Sequence, residues 1–148
     1  MKTSQPQSRR NFIGALAQCE AAMTIFRKRD AGHLVMISSV SAYRGMPKNL
    51  NTYAATKAGV ASLAEGLRAE LLESPIKVTT IYPGFIRSEI NEKVKNTPFM
   101  VDTATGCKAL VKAINAEVEE ASVPKWPWAP LGVGMRNLPL QLVRKMGG

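Results

Sequence analysis

Tyr53 and Lys57 lie four positions apart in Tyr53-Ala-Ala-Thr-Lys57, at the start of a strongly helical segment. That interval places a phenol and an ammonium on one face of a helix. An ammonium held beside a phenol favours the phenolate, and a tyrosine tuned in this way passes protons near neutral pH. The pair Ser38-Ser39 closes the apolar run that precedes the helix and adds a hydroxyl able to hydrogen-bond a substrate oxygen. Phenol, ammonium and hydroxyl together are equipment for reducing a carbonyl or oxidising an alcohol. Each residue has a plainer reading alone: a surface tyrosine, a solvated helix lysine, serines that cap a strand end. Their combination favours chemistry, with Ser38, Ser39 and Ser41 all open at this point as the hydroxyl.

The elements that must position these groups follow from periodicity. Asn11 to Arg29 reads as a helix, with apolar residues at Phe12, Leu16, Cys19, Met23 and Phe26. His33 to Ser38 is a short apolar run suited to a buried parallel strand. Val40 to Asn51, with Gly45 and Pro47, is a loop. Thr52 to Glu73 is a second helix, stopped by Ser74-Pro75. Ile76 to Tyr82 is a β-branched run broken by Pro83-Gly84. Ser88 to Met100 is polar and irregular, with room for a short helix. Thr103 to Ala121 reads as a third helix and Ala121 to Pro124 as a last short strand. Alternating helices and strands imply a parallel sheet flanked by helices. Ligands in such sheets sit beyond the carboxyl ends of the strands, where both Ser39 and the Pro83 segment fall.

Ser39, Tyr53 and Lys57 resemble the Ser…Tyr-x-x-x-Lys active site of the short-chain dehydrogenase/reductase family. Gly32-His-Leu-Val-Met-Ile-Ser-Ser39 resembles the family's fifth strand, and Ala58-Gly59 follows the lysine as it commonly does there. Ile81-Tyr-Pro83-Gly84-Phe-Ile86-Arg-Ser88 resembles the Pro-Gly-x-x-x-Thr segment after the sixth strand, with serine in place of threonine. Asn11-Phe-Ile-Gly14 resembles the Asn-x-x-Gly of the fourth helix. Ser39 precedes Tyr53 by one position more than the family's usual interval; an insertion in the loop Arg44 to Asn51 accounts for it. The resemblance runs from Asn11 to about Pro124. It implies a catalytic set of Ser39, Tyr53, Lys57 and Asn11, the last anchoring a water in a proton relay or, on the plainer reading, serving as a helix N-cap. It also implies that Tyr53, Lys57, Pro83, Gly84, Ile86 and Ser88 hold the nicotinamide end of NAD or NADP. The implied substrate is a small-molecule alcohol/carbonyl pair, and the implied subunit interface uses helices 11–29 and 52–73.

One family feature is missing. The Thr-Gly-x-x-x-Gly-x-Gly turn that cradles a pyrophosphate on backbone amides is not found among the eleven glycines. The fold expected is therefore α/β, a Rossmann-like parallel sheet flanked by helices, with only the C-terminal half represented. Residues 1–10 read as a polar leader, 11–124 as a partial catalytic domain and 125–148 as an apolar, basic tail. The rival expectation is a catalytically inactive fragment that dimerises or pairs with a full-length homologue.

The net charge of +9 comes from scattered Lys and Arg. No aromatic residues interleave with them as a base-stacking platform requires, so nucleic acid is not the expected partner. Cys19 and Cys107 offer no disulfide framework and, with one His, no zinc-type spacing. No metal site is expected, and the reduced cysteines suit a cytoplasmic setting. The tail, from Trp126-Pro-Trp128 to Leu142-Val-Arg-Lys145, could cover the substrate pocket, pack on a partner or lie on a membrane surface; packing on the protein is the preferred reading.

Overall fold

The computed structural model describes residues 9–88 and 99–147. A short π-helical turn, Arg9–Ile13, leads into helix α1, Gly14–Arg29. Strand β1, His33–Ile37, follows, and 3-10 turns at Val40–Tyr43 and Lys48–Leu50 connect it to α2, Asn51–Glu70. Next come β2, Lys77–Pro83; α3, Thr103–Asn115; β3, Glu120–Val123; α4, Lys125–Asn137; and a short α5, Leu140–Val143. The strands form one parallel sheet in the order β1-β2-β3. His33 pairs with Lys77 through to Ile37 with Ile81, and Thr80 with Glu120 through to Pro83 with Val123.

β2 is central, and Val78 to Tyr82 are all buried. Its two threonines are wholly buried, where an unpaired hydroxyl would cost about 1–3 kcal/mol. Both are satisfied: Thr79 Oγ1 donates to the Val118 carbonyl at 2.7 Å, and Arg68 donates to Thr80 Oγ1 at 2.6 Å. The main core joins Cys19 and Met23 of α1, Met36 of β1, Val60 and Ala64 of α2 and Val78 of β2. α2 comes close to the turn before α1 because Gly59 has no side chain; a Cβ there would lie 2.9 Å from the Phe12 ring. A second core, Val40, Tyr82 and Trp128, lies under α4.

Two elements depart from the sequence expectation and one was not anticipated. The helix expected to reach Ala121 ends at Asn115, because Glu117 turns the chain in the left-handed region (φ 49°) so that β3 can lie beside β2. The tail, to which periodicity assigned no secondary structure, contains a helix. Trp126 is non-helical, so Pro127 opens the regular part and Pro130 falls in its first turn, where a missing N–H does least harm. The first expected helix begins with π-helical geometry rather than at a capped Asn11. The expectation for Ser88 to Met100 falls largely on residues 89–98, outside the described residues.

Candidate active site

The buried stripe of α2 runs Ala54, Val60, Ala64. Lys57 falls on that same stripe, which turns its side chain towards the carboxyl end of β1, and Tyr53 lies one turn before it. Lys57 Nζ donates to the Ile37 carbonyl at 2.8 Å and stands 6.0 Å from the centre of the Tyr53 ring. Burial holds the Lys57 ammonium below the ordinary lysine value, since a cation out of water is disfavoured.

The three serines are separated by their partners. Ser38 Oγ donates to the Lys57 carbonyl at 2.8 Å, tying strand to helix. Ser39 Oγ accepts from both the amide (3.2 Å) and the hydroxyl (2.9 Å) of Ser41. A hydroxyl has two lone pairs and one proton. With both lone pairs engaged, the Ser39 proton is the part left to donate. Ser38 and Ser41 spend their protons inside the protein.

The segment after β2 is clamped from two sides. Gly84 N donates to the Val123 carbonyl at 2.8 Å, Val101 N to Phe85 at 3.0 Å and Arg87 N to Val101 at 2.9 Å. Beyond it, Asp102 caps α3 by accepting from the Thr105 amide at 2.9 Å, and its carboxyl is held below the usual range by hydrogen bonds from the Thr105 hydroxyl and amide. Thr103 of that first turn donates to the Arg87 carbonyl at 2.7 Å.

These pieces meet around one cavity of about 970 Å³ at the carboxyl ends of the strands. Its lining includes Ser39, Tyr53, Lys57, Pro83, Gly84, Ile86 and Ser88, brought together from three stretches of chain. The Asn11 side chain lies outside what is described. Sequence reasoning named the polar residues but not the opposite wall. Phe85, Phe99, Trp128, Leu131, Met135 and Leu138 line the same cavity. Trp128 is 5% exposed and meets the edges of Phe85 and Phe99 at centroid distances of 5.3 and 6.0 Å. A Cβ at Gly84 would collide with its indole, so the glycine is required by close approach. The signal available in the sequence was the apolar, Trp-bearing tail. Of its three readings, packing on the body holds for Trp128, Met135 and Val143, whereas Trp126 is 78% exposed.

Among the described residues no group of three or more His, Cys, Asp or Glu could hold a metal ion, and no helix is long and apolar enough to cross a membrane. Cys19 is buried, and burial, with Glu20 beside it, pushes its thiol up.

The sequence model for short chain dehydrogenases matches residues 5–98, the stretch that holds Ser39, Tyr53, Lys57 and Pro83 to Ser88. An uncharacterized oxidoreductase of Mycobacterium tuberculosis is 52% identical over 135 residues, 91% of this chain and 53% of that protein. Another, from Myxococcus xanthus, is 34% identical over 115 residues, 77% of this chain and 45% of that protein. The chain spans about half the length of these curated relatives. Among solved structures, a short chain dehydrogenase from Burkholderia cenocepacia in complex with NADP matches with a TM-score of 0.77 at 20% identity, over 99% of this chain and 62% of that one. A 7β-hydroxysteroid dehydrogenase matches at 0.71 and 19% identity, over 93% and 54%. At such identities the structural likeness speaks for the fold. Family match, motif order and fold agree, and the chain belongs to the short-chain dehydrogenase/reductase family.

Proposed function

We propose that this chain carries the nicotinamide and substrate end of an NAD(P)-dependent oxidoreductase acting on an alcohol/carbonyl pair. The observation behind this reading is the convergence of Ser39, Tyr53 and Lys57 with the Pro83 to Ser88 segment on one cavity. Residues 11–124 form the catalytic body in this reading, and residues 125–148 its substrate-side cover. Tyr53 gives a proton to the carbonyl oxygen in reduction and takes it back in oxidation. Ser39 donates its free proton to the same oxygen. Lys57 holds positive charge beside the phenol when the proton has left, and its anchor on the Ile37 carbonyl sets its position.

The donor set suits a nicotinamide and its ribose: an ammonium, two hydroxyls and a clamped backbone segment. Lys57 would hold the ribose, and Pro83, Gly84, Ile86 and Ser88 the carboxamide. When bound, the reduced nicotinamide supplies the hydride that a carbonyl carbon gains. NAD and NADP suit this end equally, because they differ at a ribose phosphate remote from the nicotinamide. Nothing in the sequence supplies the glycine-rich pyrophosphate turn, so the adenine half should add little affinity to this chain. Saturation-transfer NMR with reduced nicotinamide mononucleotide, NADH and NADPH tests the reading. Transfer concentrated on the nicotinamide and its ribose is expected; transfer dominated by adenine, or none to the folded chain, would sink it.

A second reading, a non-catalytic fragment that only associates, has its own support. No described strand pairs with the outer edge of β1, and an open edge templates pairing with another chain. Ile13 and Ile25, beside and on α1, are 55% and 49% exposed. An associated species that shows no nicotinamide signal in the same NMR samples would favour this reading.

A further inference from the structure

The cavity is two-sided in its chemistry, and the difference bears on what it holds. Resting on the oxidoreductase reading above, we infer that the substrate is a bulky, uncharged, apolar ketone or its secondary alcohol, with its hydrocarbon body against the Trp128 wall.

The polar groups lining the cavity come from the β1 end, from α2, from the Pro83 to Ser88 segment and from the first turns of α3. The cations among them, Lys57 and Arg87, belong to α2 and to the segment after β2. From α4 and the residue after it the lining is Trp128, Leu131, Gly134, Met135 and Leu138, with no charged or hydroxyl side chain. α4 does carry cations, but Lys125 and Arg136 line a different cavity of about 540 Å³, beside Tyr82 and Glu120. Arg136 there stacks 5.2 Å from the Tyr43 ring centre. The polar atom in the Trp128 wall, the indole Nε1, is buried without a partner among the described residues, pressed against Gly84. Phe99 takes the left-handed region (φ 59°), which a bulky aromatic rarely adopts, and its ring meets the edge of Trp128 there.

A volume of about 970 Å³ exceeds what a nicotinamide and a two- or three-carbon substrate fill. A polyol or carboxylate laid on this wall would lose its water and gain no hydrogen bond in return. A hydrocarbon loses nothing, and gains with each methylene buried.

Trp128 is also the reporter. Trp126→Phe leaves it as the sole tryptophan, since the chain has two. In that background, and with no cofactor present, fluorescence is titrated with heptan-2-one, nonan-2-one and undecan-2-one, and with dihydroxyacetone and pyruvate. Saturable quenching by the methyl ketones is expected, with affinity rising by up to about fourfold per added methylene until the wall is covered. Leu131→Gln, at a position 37% exposed and so tolerant of change, should weaken undecan-2-one binding at least about threefold. Equal or tighter binding of dihydroxyacetone or pyruvate, affinity independent of chain length, or no saturable response from the folded protein would each overturn the inference. Ketone binding without nicotinamide binding would overturn the redox reading, and with it the ketone's role as substrate, leaving only the wall's preference for apolar ligands; nicotinamide binding without ketone binding would overturn this inference and leave the redox reading standing.

Discussion

The two walls of the cavity are held by different forces. On one, Lys57 bonds to the Ile37 carbonyl, Ser38 to the Lys57 carbonyl, and Ser39 receives both groups of Ser41. Each side chain is fixed by directional bonds, several of them to main chain. On the other wall, Trp128 is held by ring edges and by contact with Gly84, forces that tolerate sliding. Directional bonds place atoms within tenths of an ångström, as proton transfer requires. Dispersion contacts set volume and polarity and allow several shapes. On the proposed oxidoreductase reading, then, the choice of reaction and the choice of substrate rest on separate foundations, and they should fail separately.

The largest expected effect is on the polar wall. In any turnover of a carbonyl with NADH or NADPH, Tyr53→Phe should lower kcat by at least about 10²-fold, because it removes the transferred proton's oxygen and little else. Undecan-2-one affinity, read through Trp128, should stay within about twofold. A near wild-type rate would remove Tyr53 from the chemistry.

Trp128→Ala is the converse. It should cost about 3 kcal/mol of stability, through lost burial and a cavity beside Gly84, seen as a fall in the urea midpoint. A loss under about 1 kcal/mol would mean that the apolar wall rearranges, and would weaken the claim that it sets the pocket's shape.

The smallest effect is a pH slope. The Lys57 pKa is lowered by burial from the ordinary 10.5, so between its folded value and 10.5 the unfolded chain binds more protons than the folded one. Stability should therefore rise with pH across that window, and the burial penalty should be fully present below it. Tyr43 and Tyr82, both pushed up chiefly by burial, act in the opposite sense in alkali. The quantity to measure is the difference between wild type and Lys57→Met in urea stability at neutral pH and near pH 10. A difference that does not move towards the wild type as pH rises would contradict a desolvated Lys57.

The Tyr53–Lys57 pair was legible in the sequence because helix geometry is local; four positions decide a shared face whatever surrounds them. β1 and β2 were legible for a similar reason, as apolar and β-branched runs ended by serines or by Pro83-Gly84. Residue type and periodicity did not separate Ser38, Ser39 and Ser41, all one type within four positions; the family resemblance singled out Ser39, and only tertiary structure shows how their partners differ. The end of α3 was not legible, since the turn at Glu117 is dictated by where β3 must lie beside β2. α4 was hidden by its prolines, harmless only because Trp126 breaks the helix before them. Its part in the cavity was hidden more deeply. Trp128 reaches Gly84 from more than forty positions away, and no local period encodes which side of a helix faces which end of a sheet. The sequence by itself marked the polar residues, because each sits in a local pattern: Ser39 at a strand end, Tyr53 and Lys57 on one helix face, Pro83 to Ser88 after the next strand. Which of these segments face one another across the cavity was decided only by tertiary packing, because β1, α2, the segment after β2 and α4 meet in space and not in the chain.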